Sequence, residues 1–249
     1  MTPINVAASA WLRSFHPGTP TGVRLVCFPH AGGAATAYFP ISAALAGRAE
    51  VLAVQYPGRQ DRRTEPPMER ISGLAAELAE ILAPLDDRPA AFFGHSMGAI
   101  IAYETALLLE ARGQAITHLF ASGRRAPSRY RPENVHQRGE ADILREVRLL
   151  SGTSTTLLDD PETVQMIMPA LRADYRAIET YRHDPSRHLR HTPITALVGD
   201  ADPRTSLDEA RDWRAHTEGA FDLQVFPGDH FYLTGQPGPV AEAVAARLS

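Results

Sequence analysis

Short apolar runs alternate with longer stretches in which apolar residues recur every three or four positions, and this rhythm continues along most of the chain. The run Val23-Arg24-Leu25-Val26-Cys27-Phe28 reads as a strand, and Ala34–Ala46 after it reads as a helix. Strand Val51–Gln55, helix Met68–Leu82, strand Ala90–Phe93, helix Met97–Arg112 and strand Ile116–Ala121 follow in turn. Ile194–Val198 and Leu223–Phe226 are two further short strands. Strands that alternate with helices are joined by crossovers, so the pattern predicts an α/β fold with a mostly parallel sheet flanked by helices.

The rhythm breaks between Ala121 and Ile194, a gap of about seventy residues that is too long for a structureless loop in a compact domain. Asp142–Leu150 and Ala170–Tyr181 inside it read as amphipathic helices. The second places Leu171, Tyr175 and Ile178 on one stripe, either packed or lining an acyl chamber, and Pro169 suits its first turn better than its middle. Residues about 126–190 are therefore expected to form a lid insertion across the site, within a single domain spanning 1–249. No repeat or heptad is present, and the first ten residues read as a loose tail.

The strand Ala90–Phe93 runs into Gly94-His95-Ser96-Met97-Gly98 and then into a helix. This is G-x-S-x-G in strand–turn–helix context, the nucleophile elbow, in which a strained turn lifts the serine clear of the sheet. A serine needs a base and a group to orient that base, and in the elbow arrangement these follow in the order acid, then histidine. Gly199-Asp200-Ala201-Asp202-Pro203 breaks one strand, and Pro227-Gly228-Asp229-His230-Phe231 ends the next. Among ten histidines, position selects His230 as the base. His30 and His95 are tied to turns, His118 sits in a strand, His216 is expected on a helix surface, and His136, His183, His188 and His191 lie in the Arg-rich middle. Asp202 is favoured as the acid, with Asp200 shaping the turn and Asp229 solvated. Two backbone N–H groups should receive the developing oxyanion: Met97, and Ala31 from the loop Pro29-His30-Ala31-Gly32-Gly33.

Five motifs occur in order: Pro29-His30-Ala31-Gly32-Gly33, Gln55-Tyr56-Pro57-Gly58-Arg59, the elbow at 94–98, Ser122-Gly123-Arg124-Arg125-Ala126-Pro127, and Gly228-Asp229-His230-Phe231. Together they resemble the type II thioesterases, the stand-alone editing hydrolases of polyketide and nonribosomal-peptide assembly lines. The resemblance runs from about residue 11 to residue 249. It implies an α/β-hydrolase fold with a helical lid, and hydrolysis of acyl groups held as thioesters on the phosphopantetheine arm of an acyl or peptidyl carrier protein. It also carries the catalytic roles to Ser96, Asp202 and His230, with Met97 and Ala31 as amide donors.

Composition narrows the alternatives. A net charge of −4 gives no case for nucleic-acid binding, no run approaches a membrane span, and Met1–Ala10 lacks the form of a signal peptide. The single cysteine, Cys27, lies in a strand and reads as a core residue, which makes a cytoplasmic home the expectation. No Cys/His cluster has metal spacing and no phosphate-binding glycine loop occurs, so neither metal nor other cofactor is indicated. All 25 basic residues are arginines. Arg59, Arg124 and Arg125 belong to clusters that suggest contacts with the substrate or with an acidic carrier protein. A carboxylesterase or acyl-CoA hydrolase, a chain-releasing type I-like thioesterase and a non-catalytic carrier-binding module are the competing readings. Ser122-Gly123, standing where type I members often carry their acid, argues against the second, and the complete Ser96–Asp202–His230 set against the third.

Overall fold

The central strands are largely apolar and buried along their length because both faces of the sheet are covered there. The computed structural model describes residues 10–18, 22–85, 87–151 and 156–248, so most of the expected N-terminal tail lies outside them. The seven strands are β1 (Leu12–Arg13), β2 (Arg24–Phe28), β3 (Glu50–Val54), β4 (Ala90–His95), β5 (His118–Ser122), β6 (Ile194–Gly199) and β7 (Phe221–Phe226). They form one sheet in the order β1-β3-β2-β4-β5-β6-β7, parallel except for the antiparallel β1–β3 pair.

Alternation along each strand divides the core into two layers. On β2, Val26 and Phe28 join the layer with Leu74, Leu78 and Ile101, while Leu25 and Cys27 join the layer with Tyr38, Ile41, Val240 and Val244. The first layer is built by α2 (Ile71–Leu82) and α3 (Met97–Glu110). The second is built by α1 (Phe39–Ala44) and α8 (Pro237–Ala245), the short α6 (Leu207–Arg211) and α7 (Tyr232–Gly235) lying between β6 and α8 in sequence. Helix α3 is buried on almost every side, as expected for a helix under the centre of a sheet. The expected helix at Ala34–Ala46 is instead a 3-10 turn, Ala35–Tyr38, followed by α1, with Pro40 in its first turn.

Between β5 and β6 the chain forms α4 (Glu140–Ser151) and α5 (Pro161–Thr180), which share a small core of Val135, Ile143, Met168 and Leu171. Helix α5 begins nine residues earlier than the sequence pattern suggested. Asp160 caps it by accepting from the Thr163 N–H at 3.0 Å, Pro161 takes the first-turn position, and Pro169 sits inside the helix. A mid-helix proline forfeits one backbone hydrogen bond, here at an exposed position, and the packing of Met168, Leu171 and Ile178 outweighs that loss. Among the described residues no helix is long and apolar enough to cross a membrane.

The sequence of β2, β3 and β4 crosses back over β2, so the β2–β4 border is the switch point at which open parallel sheets bind ligands at their carboxyl ends. Phe28 pairs with Gly94, and His95 with Ser122, so the loops after β2, β4 and β5 emerge at one level.

Candidate active site

Ser96 is the residue between β4 and α3, and its backbone is strained, with φ 53° and ψ −117°. A side chain at Gly98 would place its Cβ 1.9 Å from the Phe28 carbonyl oxygen, and one at Gly94 would lie 2.3 Å from the Gly98 oxygen. Both glycines are therefore required where α3 passes across the ends of β2 and β4. The turn is held by the Ser96 N–H, which donates to the Ser122 carbonyl at 2.8 Å. Helix α3 starts at Met97 and directs its free N–H groups toward the serine.

His230 follows β7 and is buried, with Nδ1 2.9 Å from Oδ2 of Asp202. The Asp202 carboxylate is fully buried, and its Oδ1 accepts from the Arg204 N–H at 2.8 Å. Asp200 is exposed, and its Oδ1 accepts from the Gly228 N–H at 2.9 Å, tying the β6 loop to the β7 loop. Asp229 is half-buried and accepts from the Phe231 N–H at 2.8 Å rather than facing the imidazole. Ser96, Met97, Ala31 and His230 line one cavity of about 60 Å³, together with Arg124, Tyr175 and Ile178. A second, more apolar cavity of about 330 Å³ lies along Ala31, Leu150, Leu171, Tyr175 and Phe231. The α5 stripe thus serves both purposes, packing in the insertion and lining the cavities.

Two further histidines flank His230. The rings of His95 and His230 are 5.0 Å apart, and His30 packs on Phe231 at 4.7 Å. Burial, then the charges of His230 and Arg59, push His30 down to about 3, and burial holds His95 well below the ordinary histidine range. Both stay neutral near pH 7, leaving His230 free of a charged neighbour within this ring cluster. His95 Nδ1 meets the Ser122 hydroxyl at 2.9 Å, and that hydroxyl meets the Tyr232 hydroxyl at 2.6 Å. This network under the elbow was not singled out from the sequence. A buried serine, carrying no acid chemistry, therefore stands at the end of β5.

Such an arrangement supports covalent acyl transfer, with a half-buried serine lining the cavity, a histidine whose Nδ1 is held by a buried carboxylate, and helix-terminal amides nearby. A family model described as "Thioesterase domain" matches residues 23–248. The chain belongs to the thioesterase family. It is 50% identical over 248 residues to the probable cadicidin biosynthesis thioesterase of Streptomyces griseus, covering 100% of this chain and 68% of that protein. It is 48% identical to thioesterase PikA5 of Streptomyces venezuelae, covering 99% of this chain and 88% of the relative. The type II thioesterase BorB from the borrelidin biosynthetic cluster superposes with a TM-score of 0.90 at 47% identity, covering 96% of this chain and 98% of BorB. The chain is thus a type II thioesterase of the α/β-hydrolase fold, a serine hydrolase acting on thioesters.

Of the arginines singled out in the sequence, the thioesterase buries Arg59 and Arg125 in ion pairs, while Arg63 and Arg129 of the same clusters are exposed. Arg59 is buried, and its Nη1 and Nη2 each donate to Asp174 of α5 at 2.9 Å. Arg125 is buried and pairs with Glu133 at 2.6 Å, and Arg204 reaches the same carboxylate at 3.3 Å. Arg125 also lines the Ser96 cavity, and a run of arginines looks the same in sequence whether its partners are solvent or distant acids. Arg124 lines the Ser96 cavity; burial, then the charge of Arg125, push it down to about 9. His216 is another correction: it is buried, with its Nε2 3.0 Å from the Ser128 hydroxyl, rather than on a helix surface. The 3-10 turn Asp212–His216 folds its last residue inward beneath Tyr103 and Trp213.

Proposed function

We propose that this thioesterase removes aberrant or stalled acyl groups from the phosphopantetheine arm of acyl or peptidyl carrier proteins, through Ser96, His230 and Asp202. The observation that carries the reading is the cavity shared by the strained Ser96 and His230, with the His230 imidazole seated on the buried Asp202. His230 takes the Ser96 proton as Oγ attacks the thioester carbonyl, and Asp202 stabilises the imidazolium that forms. The N–H groups of Met97 and Ala31 receive the oxyanion; among the described residues neither donates a hydrogen bond within the protein. The C–S bond then breaks and the pantetheine thiol departs. Its low pKa relative to an alcohol makes protonation less demanding than in ester cleavage. His230 next activates a water, which attacks the Ser96 ester and releases the acid. The phosphopantetheine belongs to the substrate, and no cofactor takes part.

The inserted helices α4 and α5 act as the lid. Leu150 from α4 and Tyr175 from α5 both line the cavities beside Ser96 and Ala31, so the acyl group and arm lie between the insertion and the sheet. The names of the bacterial relatives, biosynthetic thioesterases, support a carrier protein as the partner, and the single, buried and unpaired Cys27 supports the cytoplasm as the place of action.

A comparison of kcat/KM on an acyl-carrier protein and on the same acyl group borne by N-acetylcysteamine tests the reading. The carrier substrate is expected to be at least about tenfold better, because one charge-assisted contact to carrier or phosphate contributes that much. Equal efficiency, together with equal turnover of the matched oxygen ester, would point to a general esterase.

A further inference from the structure

Asp174 lies on the stripe side of α5, between Leu171 and Ile178, and is fully buried. A buried carboxylate is stable only when its oxygens are taken up by donors. Oδ1 accepts from Arg59 Nη2 at 2.9 Å, while Oδ2 accepts from Arg59 Nη1 at 2.9 Å and from the Gly32 N–H at 2.7 Å. Arg59 Nη1 also donates to the Gly33 carbonyl at 3.0 Å. One ion pair therefore grips two consecutive residues of the loop after β2.

That loop is a tight turn, closed by the Gly33 N–H to the His30 carbonyl at 2.9 Å, with Gly32 at φ 75°. Ala31 and Gly32 are its two central residues. A Cβ at Gly32 would fall 2.7 Å from Cδ1 of Leu171, so α5 itself occupies the space beside the turn. Both the side chain that fills this space and the carboxylate that binds the turn come from the insertion, three residues apart on one helix. An ion pair serving only to anchor α5 would satisfy itself with Arg59. This one shares Oδ2 with the backbone next to the proposed oxyanion donor.

We propose that Asp174, acting with Arg59, is a positioning residue that fixes the turn carrying the Ala31 N–H, so that the oxyanion site is complete only while α5 is seated. The proposal rests on the reading of Ala31 as an oxyanion donor. It makes the insertion part of the catalytic arrangement and not only a cover: withdrawal of α5 strips Gly32 of its acceptor and leaves Arg59 without its counter-ion.

The test compares Asp174→Ala and Asp174→Asn with the parent protein, using three probes: turnover of an acyl N-acetylcysteamine thioester, affinity for an alkylboronic acid, and affinity for the matching S-alkyl pantetheine. The boronic acid forms a tetrahedral adduct whose oxygen occupies the oxyanion site, whereas the thioether has no carbonyl oxygen. Rates are expressed per thioether-binding site counted by calorimetry, so misfolded protein does not contribute. For Asp174→Ala, kcat is expected to fall about a hundredfold and boronate affinity to fall in parallel. KM and thioether affinity should stay within about threefold, as for an interaction made only in the transition state. Asp174→Asn keeps an acceptor for the Gly32 N–H and should recover part of both losses, and it serves as the test should the alanine variant fail to fold. A parallel loss of thioether and boronate affinity would assign Asp174 a purely structural role and overturn the proposal, as would an unchanged kcat. Ser96→Ala is the control: persisting hydrolysis there would refute the underlying site, whereas its loss with Asp174 variants unaffected refutes the positioning role alone.

Discussion

Replacing Asp202 by asparagine changes one atom and should nearly abolish turnover. The magnitude follows from how the carboxylate is held. Oδ1 accepts the Arg204 N–H at 2.8 Å and Oδ2 faces His230 Nδ1 at 2.9 Å. In Asp202→Asn the carbonyl oxygen must stay on the Arg204 N–H, because the reverse orientation sets two donors face to face and leaves a buried N–H unmet, at a cost of about 1–3 kcal/mol. The amide NH2 therefore faces Nδ1 and compels it to accept. His230 then carries its proton on Nε2, the nitrogen that should take the proton of Ser96. The imidazolium also loses its counter-charge. Wrong tautomers of this kind lower kcat by about 10⁴, equivalent to roughly 5.5 kcal/mol in the barrier. Thiol release from an acyl N-acetylcysteamine thioester provides the assay, with Ser96→Ala as the background. Asp200→Asn keeps an acceptor for the Gly228 N–H and should stay within about threefold of the parent enzyme. An Asp202→Asn enzyme within tenfold of wild type, or an Asp200→Asn enzyme that is the more damaged of the two, would refute the reasoning.

Two predictions concern stability. Burial pushes His118 and His216 down to about 4 from an ordinary value of 6.5, so between those values the unfolded chain binds protons that the folded chain refuses. Their contribution is present above pH 6.5 and is lost as pH falls toward 4, at roughly 1.4 kcal/mol per pH unit for each histidine; urea midpoints that stay flat across this window would contradict it. Pro169→Ala should restore the missing hydrogen bond to the Gln165 carbonyl and stabilise the protein by up to about 3 kcal/mol, read as a rise in Tm. A fall in Tm would mean that the proline shapes α5.

The parallel strands and their order in the chain were legible because buried parallel strands are largely apolar and the intervening helices are periodic, whereas the two-residue β1 is too short to leave a pattern. Boundaries were less so: β4 extends through Gly94 and His95, since hydrogen-bonded pairing with β5 continues past the apolar run. Ser96 and His230 were readable because each belongs to a turn whose local sequence announces a strand end. Asp202 was separable from Asp200 by its place in the same turn. Asp174 was hidden, although an acid on the stripe between Leu171 and Ile178 was a sign that its partner lay inside the protein. That partner, Arg59, is 115 residues away, and nothing local in sequence pairs them. Pro169 misled because the usual preference of proline for helix starts was applied without knowing what the buried face of α5 contributes.

Intact mass spectrometry of an acyl-carrier protein mixed with the enzyme tests the central claim most directly, with proteolytic peptides of the enzyme sampled during turnover. The account predicts that the carrier loses its acyl mass while keeping its phosphopantetheine arm, and that a transient acyl increment maps to the peptide containing Ser96. Neither event should occur with Ser96→Ala. A carrier that stays loaded, or one that is unloaded equally well by the Ser96→Ala enzyme, would contradict it.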